Sequence, residues 1–74
     1  MYDTIRDILI NEMNIEESQI KPEATLTGDL GLNSLELADL IVMCEERFGV
    51  VFADEDLAEL QTIQDVASYI DSRK

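Results

Sequence analysis

Apolar residues recur at helical spacing in three stretches of the chain. Ile5, Ile8, Leu9 and Met13 form the first stripe, with Asp3 as its candidate N-cap. Leu37, Leu40, Ile41, Cys44 and Phe48 form the second. Asn33 can cap that helix, and Glu36 at its third position can reach back to close a capping box. Gly49 follows Phe48, where helices commonly stop. Ile63, Val66, Ala67 and Ile70 form the third stripe, capped by Thr62, with Asp65 in the first turn and Arg73 and Lys74 at the negative end. Asp54 to Leu60 predicts one further short helix, its acids gathered where the macrodipole favours them. Val50-Val51-Phe52 is β-prone but too short to pair, so no strand is predicted.

The expected fold is therefore all-α: a small antiparallel bundle of three main helices plus one short helix, in one domain over residues 1–74. A long connection, from about Asn14 to Leu32, separates the first two helices. Loops of that length in small domains are uncommon and usually functional. Ile15, Ile20, Leu26, Leu30 and Leu32 are spaced along it and can pin it against the helices.

On a helical wheel the second helix has two faces. Its core residues fall within about 100° of one another. Leu35, Asp39, Val42 and Glu46 occupy a separate arc nearly opposite, flanked by Glu36, Met43 and Glu45. Apolar side chains ringed by acids suit either a solvated face with stray apolar residues or a docking surface that steers a basic partner.

Composition narrows the chemistry. Apolar residues are 46% of the 74, enough for a core, and 5 Lys+Arg against 17 Asp+Glu give a net charge of -12. Such acidity repels nucleic acid, favours a monomer and attracts basic protein surfaces. There is no His, so Ser-His and Cys-His catalytic pairs are excluded, and no paired acid-base set points to an enzyme. The single Cys cannot close an internal disulfide, and Cys44 on the core stripe reads as a buried, inert thiol. The longest apolar run, Leu40 to Cys44, is far short of a membrane span, and the expected location is the cytoplasm. Asp54, Glu55, Asp56 and Glu59 lack EF-hand spacing, so no metal site is expected.

Ser34 opens the second helix directly after the Gly-containing loop. Nothing in the chain can activate it as a nucleophile, but another enzyme could modify it, and a helix N-terminus stabilises an attached phosphate. The alternative is an ordinary N-terminal helix serine.

The run Asp29-Leu30-Gly31-Leu32-Asn33-Ser34-Leu35 resembles the attachment motif of acyl carrier proteins, Asp-Leu-Gly-x-Asp-Ser-Leu, at five of its six fixed positions. The resemblance extends through Glu45-Glu46-Arg47-Phe48, Ala53-Asp54-Glu55-Asp56 and Leu60-Gln61-Thr62-Ile63-Gln64-Asp65-Val66. It implies that a phosphopantetheinyl transferase uses coenzyme A and Mg²⁺ to attach 4′-phosphopantetheine to Ser34. The arm's thiol would hold acyl chains as thioesters for synthases, reductases, dehydratases and acyltransferases with basic docking patches. It further implies that the second helix is the recognition helix, with Leu35, Glu36, Asp39, Val42, Glu45 and Glu46 as partner contacts. An apolar acyl cleft would be lined by Leu37, Ile41, Cys44, Phe52, Leu57, Leu60 and Ile63.

One departure is Asn33, where the family has Asp. Asn caps a helix equally well but lacks the charge. Type II fatty acid synthesis is the expected pathway. The rivals are a specialised carrier (polyketide, lipid modification or aminoacyl transfer) and, from another class, an unmodified acidic helical adaptor.

Overall fold

A computed structural model describes residues 2–73. Four α-helices follow in order: α1 (Tyr2–Met13), α2 (Ser34–Phe48), α3 (Asp54–Leu57) and α4 (Ile63–Arg73). A single 3₁₀ turn, Glu17–Gln19, lies in the first connection. The molecule measures 28 × 21 × 20 Å, and α1 packs against both α2 and α4. Among the described residues there is no strand, only an isolated antiparallel bridge between Thr25 and Thr62.

The helix ends follow from local chemistry. Asn33 Oδ1 accepts from Glu36 N at 2.8 Å, and Glu36 Oε1 accepts from Asn33 N at 3.1 Å, which completes the expected capping box. Gly49, at φ 70°, ends α2 in the left-handed region that an L side chain avoids. Asn14 plays that part for α1 at φ 57°, and Ile15 N then donates to Leu9 O at 3.0 Å. Asp3, expected as a cap, lies inside the first turn, because α1 already includes Tyr2. α3 is shorter than predicted. It stops at Leu57, and the chain tightens so that Leu60 N donates to Leu57 O at 3.1 Å while Leu60 turns inward.

The long connection is docked along its length. Ile20, Ala24, Leu26, Leu30 and Leu32 are buried in the common core with Ile5, Ile8 and Leu9 of α1. Its backbone meets the start of α4. Ile63 N donates to Ala24 O at 3.2 Å, Gln64 N to Pro22 O at 2.9 Å, and Leu26 N to Gln61 O at 2.8 Å. Asp65 N donates to Thr62 Oγ1 at 3.1 Å, so the first three amides of α4 are all satisfied. Earlier in the connection, Thr25 and Asp29 exchange two hydrogen bonds, Thr25 N to Asp29 Oδ2 and Asp29 N to Thr25 Oγ1. A Cβ on Gly28 would lie 2.6 Å from that Thr25 oxygen, so the turn needs glycine there.

α3 has no side-chain cap at Ala53 and is held by α4 instead. Tyr69 Oη accepts from Ala53 N at 3.2 Å and donates to Asp56 Oδ2 at 2.8 Å. Its ring stacks on Phe52 at 4.8 Å, and the Arg73 guanidinium covers it at 4.2 Å. Tyr69→Phe keeps the ring and removes the hydroxyl from this node. The expected loss is about 1–2 kcal/mol. A thermal melt should show it as a fall of roughly 4–15 °C. An unchanged melting temperature would show that the hydroxyl does not hold α3.

Candidate functional site

Ser34 is exposed at the first turn of α2, fixed there by the capping box one residue before it. Beneath it opens a cleft of about 350 Å³, lined by Ser34, Leu37, Ala38, Ile41, Val42, Glu45, Phe52, Asp54, Leu57 and Leu60. Four of these, Ser34, Ala38, Ile41 and Glu45, recur at i, i+4, i+7 and i+11 and so form one stripe running down α2 from the serine. α3 and its flanking segments supply the opposite wall through Phe52, Asp54, Leu57 and Leu60. The cleft is thus mostly apolar, with the hydroxyl at one end and the Glu45 carboxylate at the other.

Five of the seven residues expected to line a cleft do so: Leu37, Ile41, Phe52, Leu57 and Leu60. Cys44 and Ile63 do not, because both side chains are fully enclosed in the central core. On the wheel Cys44 lies some 80° from Ser34, on the side of α2 that meets the core. Sequence reasoning missed Ala38 and Asp54 as walls and counted Val42 and Glu45 only as partner contacts. The stripe drawn through Ser34 was the available signal for Ala38 and Glu45.

The outward face carries Leu35 (78% exposed), Val42 (49%), Asp39 and Glu46 in solvent. Glu36 and Glu45 sit half-buried, each with an internal duty. Glu36 holds Asn33 N, and Glu45 Oε2 accepts from Phe52 N at 2.8 Å. Asp39 and Glu46 therefore remain as the exposed acids of the expected contact set.

The acids Asp54, Glu55, Asp56 and Glu59 form no metal cage, and among the described residues no group of three or more His, Cys, Asp or Glu is placed to hold an ion. Asp56 is engaged by Tyr69 and Arg73. No described helix is long and apolar enough to cross a membrane.

Burial pushes the Cys44 thiol up to about 11, with Glu45 adding a little and Arg47 opposing. The folded protein keeps the proton that an unfolded chain loses near pH 9.0, so stability falls as pH rises through 9 and levels off near 11. The expected contribution to that alkaline loss is up to about 2 kcal/mol. Denaturant titrations from pH 8 to 11 should show a smaller fall in Cys44→Ala than in the parent. Equal falls would remove the thiol as the cause.

Comparison with known proteins adds an independent line. The family described as "Phosphopantetheine attachment site" matches residues 3–70. The chain is 36% identical over 70 residues to a protein named acyl carrier protein from Solidesulfovibrio magneticus, covering 95% of this chain and 90% of that one. It is 34% identical over 73 residues to a protein of the same name from Bdellovibrio bacteriovorus, covering 99% and 94%.

Proposed function

The chain belongs to the acyl carrier protein family, whose members are carriers and not enzymes, and from that premise we propose that it carries acyl chains on Ser34 for fatty acid synthesis. The whole of residues 1–74 acts as one carrier domain, working as a cytoplasmic monomer. The observation that supports this most directly is the exposed Ser34 at the head of an apolar cleft.

The surroundings of Ser34 fit 4′-phosphopantetheine. The hydroxyl is exposed to an approaching transferase, and the N-terminal end of α2 favours the negative phosphodiester. In loading, the Ser34 oxygen would bond to the pantetheine-side phosphorus of coenzyme A, the pyrophosphate linkage would break, adenosine 3′,5′-bisphosphate would leave, and the serine proton would pass to a base on the transferase. The arm supplies a terminal thiol that holds acyl groups as thioesters. The chain's own part is to hold the serine at a fixed helix end, to offer Leu35, Asp39, Val42 and Glu46 to a basic partner, and to provide the apolar cleft.

Asn33 leaves the motif without its usual charge beside Ser34. Its carbonyl oxygen is committed to the cap, which an Asp would maintain. An exposed ion pair with a transferase is worth at most about 1 kcal/mol, so Asn33→Asp should load up to about fivefold faster. Intact mass after incubation with coenzyme A, Mg²⁺ and a broad-specificity transferase should show a gain of one phosphopantetheine. Ser34→Ala should show none while staying folded. No gain in the parent or in Asn33→Asp would leave the unmodified adaptor as the better reading.

Charge reversal separates docking from folding. Glu46→Lys removes an exposed acid, and its expected effect is weaker binding to carrier-dependent enzymes at an unchanged melting temperature. Glu36→Lys should lower both, because Glu36 also closes the α2 capping box. Undiminished affinity of Glu46→Lys across several such enzymes would rule Glu46 out of the docking face.

A further inference from the structure

The cleft has a definite length. From Ser34 to Glu45 the stripe on α2 advances eleven residues, about 16 Å at the helical rise. At the Glu45 end stands Phe52, whose amide donates to the Glu45 carboxylate at 2.8 Å and whose ring is part of the cleft wall. The ring is braced from behind. It stacks on Tyr69 with the planes 12° apart, and the next residue, Ala53, donates its amide to the Tyr69 hydroxyl. Phe52 cannot swing aside without breaking the backbone bond, the ring stack or both.

We propose that Phe52 sets the longest acyl chain this protein shelters, at about a dozen carbons. The proposal rests on the reading of Ser34 as the attachment point. Two estimates of capacity agree. A cavity of about 150 Å³ accommodates benzene, so a carbon needs about 25 Å³ and the 350 Å³ cleft holds about fourteen. With the arm folded back so that its thioester lies at the Ser34 mouth, an extended chain advancing about 1.25 Å per carbon fits about thirteen carbons into 16 Å. The thioester occupies the mouth and reduces either figure by one or two. A neighbouring hollow of about 340 Å³ shares Leu37, Leu57 and Leu60 with the cleft. Its other walls mix Leu26 and Ala58 with Thr25, Thr27 and Gln61, and Phe52 is not among them, so it does not continue the cleft past that ring.

The test uses the full chain loaded on Ser34 with saturated acyl groups of about four to sixteen carbons, a range that brackets the capacity estimated above. Thioester loss to hydroxylamine is followed by intact mass. In the parent the half-life should lengthen up to about ten to twelve carbons and then level off. Phe52→Leu, which shortens the blocking side chain, should move that plateau about two carbons longer, and the bulkier Phe52→Trp should draw it about two carbons shorter. If Phe52→Trp does not fold, Phe52→Leu carries the test alone. A merely loosened protein would lose thioester faster at every length, the shortest included, with the plateau unmoved. The same plateau in all folded variants, a parent half-life that still climbs at the longest chains, or no dependence on length would each overturn the proposal. Those outcomes leave the carrier reading standing, since the mass already reports the arm on Ser34. Failure to gain the arm would instead overturn the carrier reading and this proposal with it.

Discussion

The connection over residues 14–33 carries more backbone donors and acceptors than any helix of the chain, and each must meet water or a partner. Helix α4 has the complementary need, because its first amides lack intrahelical acceptors. Placing Pro22 and Ala24 carbonyls over Ile63 and Gln64 amides meets both at once. With the backbone held there, Leu26, Leu30 and Leu32 enter the core, and the chain reaches Asn33 in a fixed position. The exposure of Ser34 one residue later follows from this docking and from the capping box that continues it.

From that point α2 serves three surroundings. Leu40 and Cys44 meet the core, the stripe below Ser34 borders the cleft, and Leu35, Asp39 and Glu46 face solvent. On the wheel the cleft stripe is centred about 110° from each of the other two sets, so neighbouring residues have unlike duties. The substitution of one acid for another on this helix is therefore not neutral by position. Asp39 and Glu46 can change with little effect on the fold, whereas Glu36 and Glu45 each satisfy a backbone amide.

Much of this was legible because the deciding bonds are local. Asn33 with Glu36, Thr62 with Asp65, and Gly49 after Phe48 act within four residues, and sequence spacing specifies such contacts directly. Ser34 was singled out because its motif is contiguous, and its place at the exposed start of α2 was legible from the cap before it. Other features depend on partners far along the chain. Tyr69 holds Ala53 across sixteen residues, which no periodicity encodes. The short α3 ends at Leu57 because Leu60 is drawn into the core, a tertiary effect that overrides its local signals. Cys44 and Ile63 were assigned to the cleft on the family resemblance and their places on apolar helix faces, and a helical wheel distinguishes only inside from outside. It cannot separate two inward directions without knowing what stands opposite.

The opposite wall is the part of the molecule built with the fewest constraints of its own. α3 is a single turn without a side-chain cap, and Leu57 within it is only half-buried. Segments of that kind open at lower cost than the core they cover. The proposed carrier role calls for such a wall, because a sheltered chain must enter and leave. It also needs the wall to return to one position, and here the burden falls on α4. The Tyr69 ring supports Phe52, its hydroxyl holds Ala53 and Asp56, and Arg73 covers it from the solvent side. Leu57, half-buried and past the Asp56 anchor, has more room to shift than Phe52, which the Tyr69 stack and the neighbouring Ala53 bond hold.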